Sequence, residues 1–143
     1  MIKMKPMNDN FRVFIDSNIF IYLYSESEIY KQETAHNCME NYNCVISTQV
    51  LNEFCNICLK KFGKSINEIK LAIEEITEVC SVLLIEIDDI LYATRLHEKY
   101  GYGYWDCLML VSALKSGCKY IFTEDMQNGQ IIENILTIKN VFI

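Results

Sequence analysis

Four carboxylates in this chain sit in sequence contexts where a carboxylate is costly. Asp16 ends the apolar run in "FIDSNIF", Glu53 lies in "STQVLNEF", Asp106 in "YWDCLML" and Asp125 in "YIFTEDMQNG". An acid set against apolar surroundings destabilises a fold unless it is paired. Four such acids brought together would repel one another unless a cation joined them. Ligand sets made only of oxygen favour hard Mg²⁺ or Mn²⁺ over zinc. Such a metal can activate water and shield the charge of a phosphodiester. This chemistry suits a nuclease better than a protease.

Whether the acids meet depends on the elements that carry them. "RVFID" (12–16) reads as a buried strand, followed by a short helix over 18–24. "SESE" (25–28) has capping-box spacing and opens a helix to about Tyr42. "CVIS" (44–47) is a second strand, with a helix over 48–62 behind it. Ser65 and Glu68 repeat the capping spacing ahead of an apolar stripe of Ile66, Ile69, Ile73, Ile76 and Cys80. "SVLLIEI" (81–87) is a strand, and Asp88 is expected to cap a helix running to about Tyr100. "GYGY" is a loop. The helix over 105–115 is apolar nearly all round and is therefore expected to be buried, with Gly117 suited to its C-terminal end. "KYIF" and a weaker "ILTI" close the set.

Strands separated by helices imply an α/β fold with a mainly parallel sheet of about four to five strands, covered on both faces. Ligands gather at the carboxyl ends of such strands, where strand order reverses. Asp16 ends the first strand, and Asp125 follows the "YIFT" strand. Asp106 lies in the first turn of the buried helix, and Glu53 about one and a half turns into its own helix. All four could therefore meet at one edge.

Together, "FIDSNIFIYLY", "STQVLNEF", "YWDCLMLVSAL" and "YIFTEDMQNG" resemble the four acidic blocks of PIN-domain ribonucleases, most of all the toxins of bacterial VapBC toxin–antitoxin pairs. The resemblance covers nearly the whole chain in order and spacing. It implies a three-layer fold and Asp16, Glu53, Asp106 and Asp125 as catalytic, metal-binding acids for Mg²⁺ or Mn²⁺. Asn18 and Thr123 would support them, their plainer reading being that they cap or close turns. Glu124 is a lesser candidate, since strand parity points it away from its neighbours. The activity implied is endoribonuclease cleavage leaving 5′-phosphate and 3′-hydroxyl ends. The partners implied are an RNA substrate, a small antitoxin and a second copy of the chain. The family's Asn-Pro-Phe ending stands here as Asn140-Val141-Phe142, a departure that leaves the acids untouched.

Other motifs have plainer readings. "CNIC" (55–58) has the spacing of a zinc or redox pair but falls mid-helix with no second Cys-x-x-Cys, so buried thiols are expected. His36 and His97 lie in polar helical stretches and read as surface residues. Lys60, Lys61 and Lys64 complement a helix C-terminus, and their sharper reading is contact with RNA phosphates. Tyr102, Tyr104 and Trp105 either stack on bases or pack over the buried helix.

The whole chain sets bounds on these readings. Its 143 residues, 51% hydrophobic, suit a single domain over 1–143 with a real core. A net charge of −6 argues against coating nucleic acid through bulk positive charge. "MIKMKPMNDN" has no apolar core or small-residue cleavage site, and no apolar run is long enough to span a membrane. Seven cysteines, an odd number, fit free thiols in a reducing cytoplasm. Among rival functions, a PIN-fold module that binds RNA or protein without cutting has no need of four repelling acids. A haloacid-dehalogenase-type phosphatase would want Asp-x-Asp where Asn18 stands. There is no Gly-rich dinucleotide or P-loop fingerprint. A flap-type nuclease would need large helical insertions.

Overall fold

The computed structural model describes residues 11–143, so the reading of the N-terminal ten residues lies outside it. β1 (Arg12–Ile15) and α1 (Ser17–Leu23) are followed by α2 (Ile29–Asn41), β2 (Asn43–Ser47) and α3 (Thr48–Lys60). Then come α4 (Ile66–Val79), β3 (Ser81–Leu83), α5 (Ile87–Tyr100) and α6 (Tyr104–Lys115). β4 (Cys118–Phe122), β5 (Ile131–Ile132) and β6 (Leu136–Lys139) complete the order.

The strands form one sheet in the order β3-β2-β1-β4-β6-β5, parallel except for the antiparallel β5–β6 pair. Continuous apolar runs make this possible. Val13, Phe14 and Ile15 are fully buried in β1, as are Ile121 and Phe122 in β4, which a sheet covered by helices on both faces requires. In α6, Cys107 through Ala113 are all buried, matching a helix apolar on every side. Strand order reverses between β1 and β4, whose register pairs Ile15 with Phe122. Asp16 and Thr123 follow immediately, at the place where parallel sheets bind ligands.

Several local expectations are corrected. The sheet has six strands, because two-residue β5 is too short to show a period of two. β5 joins β6 through Glu133 and Asn134, both at positive φ (50° and 59°), with Ile135 N–H donating to Ile132 C=O at 3.1 Å. That is hairpin-turn geometry, held by Glu133 accepting from Tyr92 and Tyr100. β3 stops at Leu83 rather than running to residue 87, because its partner β2 ends at Ser47, opposite Leu83.

The capping residues differ too. Ser65 and Glu68 do form a capping box, with Glu68 N–H donating to Ser65 Oγ at 3.1 Å and Ser65 N–H to Glu68 Oε1 at 3.0 Å. Ser25 makes no such box. It pairs locally with Ser27, and α2 begins only at Ile29. Asp88 is not the cap of α5. Glu86 holds that position, its N–H donating to Asp89 at 2.8 Å, and Lys115 covers the buried Asp89 at 2.9 Å.

Candidate active site

Asp16 is the residue before α1, where an acid usually caps a helix. Its side chain makes no capping hydrogen bond and is only 1% exposed. It is gripped from the side instead. Thr123 Oγ1 donates to Asp16 Oδ2 at 2.6 Å, and Ser17 Oγ lies 3.2 Å from Oδ1. The backbone of Asp16 is pinned as well, its N–H donating to Phe122 C=O at 3.1 Å. A carboxylate placed this way is rigid but poorly solvated.

Glu53 reaches the same edge from α3. Ser17 Oγ donates to Glu53 Oε2 at 3.0 Å, and Gln49 Nε2, one turn earlier, donates to Oε1 at 2.7 Å. Ser17 has a single hydroxyl proton to share between Asp16 and Glu53. Asp125 accepts from Asn18 Nδ2 at 2.8 Å, while its own N–H donates to Thr123 Oγ1 at 3.1 Å. Thr123 thus links Asp125 to Asp16. Asp106 lies in the first turn of α6, where the helix dipole favours a negative charge. Among the described residues, none donates a hydrogen bond to its carboxylate.

Electrostatics join the four acids. Burial pushes Asp16 up to about 6 against the opposing Thr123 hydrogen bond, and the charges of Asp125 and Glu53 add to the rise. Asp106 is raised by partial burial, then by Asp125 and Glu53. Asp125 is raised by partial burial and by Glu124, with Asn18 opposing. Among the described residues, no lysine or arginine is among the groups that shift these three acids. Nor do any three His, Cys, Asp or Glu side chains there stand as a ready ligand set for a metal ion. Neutral donors hold Asp16, Glu53 and Asp125, Asp106 has none among the described residues, and the oxygen chemistry of the set suits a hard cation.

The remaining candidates are placed as follows. Glu124 turns away from the acids to Tyr22 and Lys31, the latter at 3.3 Å. Lys60 and Lys61 are exposed at the far end of α3, and Lys64 lines a separate cavity with Tyr24, Phe54 and Cys58. Cys55 and Cys58 are free thiols, the second buried. Tyr102 is bound up with Gln130 and the Gln127 N–H, whereas Trp105 is 65% exposed. Sequence reasoning missed Ser17 and Gln49. The spacing of Gln49 four residues before Glu53 on a helix was the available signal for the second.

A family model described as PIN domain matches residues 13–128. This chain belongs to the PIN domain family. The fold of this PIN domain is also that of solved structures at low identity. VapBC2 from Rickettsia felis, bound to a DNA fragment from its promoter, matches with TM-score 0.64 and 17% identity over 90% of this chain and 98% of that one. VapC20 of Mycobacterium tuberculosis, a sarcin-ricin loop cleaving toxin, matches with TM-score 0.64 and 18% identity over 79% and 91%. A toxin–antitoxin complex from Klebsiella pneumoniae matches with TM-score 0.66 and 14% identity over 90% and 97%. No curated protein matches the chain. No helix among the described residues of this PIN domain is long and apolar enough to cross a membrane.

Proposed function

We propose that this PIN domain is a divalent-metal-dependent endoribonuclease and the toxin of a type II toxin–antitoxin pair. The observation that supports it most is the buried Asp16, raised to about 6 beside Glu53 and Asp125, with no protein cation among the groups that shift it. A fold does not retain such a carboxylate for its own stability. Asp16, Glu53, Asp106 and Asp125 would hold Mg²⁺ or Mn²⁺. When bound, that ion supplies positive charge for the phosphodiester and activates water.

The chain's own groups supply the positioning. Thr123 and Ser17 fix Asp16, Gln49 fixes Glu53, and Asn18 fixes Asp125. Asp106 is placed by the first turn of α6, where the helix dipole favours its charge. Toxin–antitoxin complexes among the structures of like fold support a small antitoxin as partner. An RNA substrate, a homodimer and a cytoplasmic location complete the proposal.

The test is cleavage of a broad RNA panel with Mn²⁺ or EDTA, using wild type and Asp106→Asn. Cutting is expected only for wild type with metal, with 5′-phosphate products. RNA binding without any cleavage would instead mark the chain as a binding module.

A further inference from the structure

Beside the acids lies a cavity of about 710 Å³ between α3 and the start of α6, a size typical of small-ligand pockets. Its walls differ sharply in chemistry. One is aromatic: Tyr104 and Trp105 meet edge-to-face with ring centres 5.1 Å apart. Another, on α3, carries three amides, Gln49, Asn52 and Asn56, which helical spacing sets along one face, and Ile85, Ile90 and Leu108 add apolar lining. Glu53 is the one charged residue lining it among those described.

Gln49 points to the kind of ligand. It is only 7% exposed, and its Nε2 donates both to Glu53 and to Trp105 C=O, at 2.7 and 2.9 Å. Those two acceptors fix the amide's orientation, because a flip would set its oxygen against both. Its Oε1 then has no hydrogen-bond partner among the described residues. The atom is closed off from solvent, so a donor in the cavity reaches it only through a shift of the Gln49 side chain. The same amide joins the Glu53 carboxylate to the Trp105 backbone, so the cavity directly abuts the acid cluster.

We propose that this cavity is a nucleobase subsite, in which one base of the RNA stacks on Trp105 and turns an N–H edge toward Gln49, Asn52 and Asn56. A phosphate is unsuited to a cavity whose one charge is negative. A purely apolar partner side chain would bury three amides without return. A base satisfies both walls, with a π-face for the indole and polar edges for the amides. The inference rests on the proposed RNA-cleaving function and names which residues would choose the nucleotide beside the cut.

Trp105 is the chain's single tryptophan, so its fluorescence reports on this cavity alone. Asp106→Asn protein with Mg²⁺ is titrated with a short oligoribonucleotide and with an abasic oligomer of equal length and charge. Saturable quenching by the base-bearing oligomer, and at least tenfold weaker response to the abasic one, is expected. In the same background, Trp105→Ala should weaken binding of a labelled oligomer about five- to 150-fold, the span of base–aromatic stacking. Trp105→Phe should recover most of that loss. Equal responses to the two oligomers overturn the subsite. So does a fluorescence change that follows protein concentration alone, which would assign the face to a second copy of the chain. Wild-type cleavage with Mn²⁺ is measured in parallel. Cleavage with Trp105 indifferent to bases overturns the subsite and leaves the ribonuclease reading standing, whereas base-dependent quenching without any cleavage overturns the ribonuclease reading and, with it, the subsite's place beside a cut.

Discussion

Replacing Asp16 with Asn should stabilise the metal-free protein, by an amount that depends on pH. Folding moves this carboxyl from an ordinary value of 3.8 to about 6, chiefly by burial. Each pH unit between those values is worth about 1.4 kcal/mol, so holding Asp16 ionised in the folded state costs about 3 kcal/mol. The sign follows from which state binds the proton more tightly. Below the unfolded value Asp16 is protonated in both states and carries no penalty. As pH rises toward 6 the unfolded chain loses its proton first, and stability falls. Above 6 the penalty is complete. The asparagine amide would have no charge to bury, could still accept from Thr123, and could donate to Ser17 Oγ, leaving the Ser17 proton for Glu53. Urea denaturation in EDTA should therefore show Asp16→Asn more stable than wild type by about 3 kcal/mol at pH 7.5. The gap should shrink toward zero by pH 4. A gap that is the same at both pH values, or wild type the more stable at pH 7.5, would refute the reasoning.

Ser17→Ala removes the one hydroxyl between Asp16 and Glu53, so it should cost about 1–2 kcal/mol and slow cleavage, read by urea melts and RNA assay. Ser65→Ala should cost about 1 kcal/mol through its lost capping box, whereas Ser25→Ala, which caps nothing, should cost far less in the same melts. Metal analysis of the purified protein should find no stoichiometric zinc, and chelators should leave it folded, because Cys55 and Cys58 are helix-packing thiols.

The parallel sheet was legible because β1, β2 and β4 are continuous apolar runs, and buried α6 because it has no polar face. Asp16, Glu53, Asp106 and Asp125 stood out as candidates because each lies within or beside an apolar run, and the charges of Glu53 and Asp125 do bear on both Asp16 and Asp106. Where reading failed, a tertiary or very local effect decided. β3 ends where its neighbour ends, which no pattern within "SVLLIEI" reveals. The Ser25–Glu28 spacing matches a capping box, yet the chain spends those residues on a turn before α2. Ser17 escaped notice because its role is to bridge two acids far apart in the chain, and short polar residues carry no periodic signal. Gln49 was half legible, through its spacing to Glu53, but its bond to Trp105 C=O depends on α3 and α6 packing side by side.

Calorimetric titration with Mn²⁺ at pH 6, in buffers of different ionisation enthalpy, tests most directly whether the four acids serve one hard cation. Wild type should bind Mn²⁺ and release protons, because Asp16, raised to about 6, is partly protonated at that pH until metal displaces the proton. Asp16→Asn and Asp106→Asn should each lose most of the binding, and Asp16→Asn most of the proton release. Unchanged Mn²⁺ affinity in both variants, or binding by wild type with no proton released, would contradict the assignment.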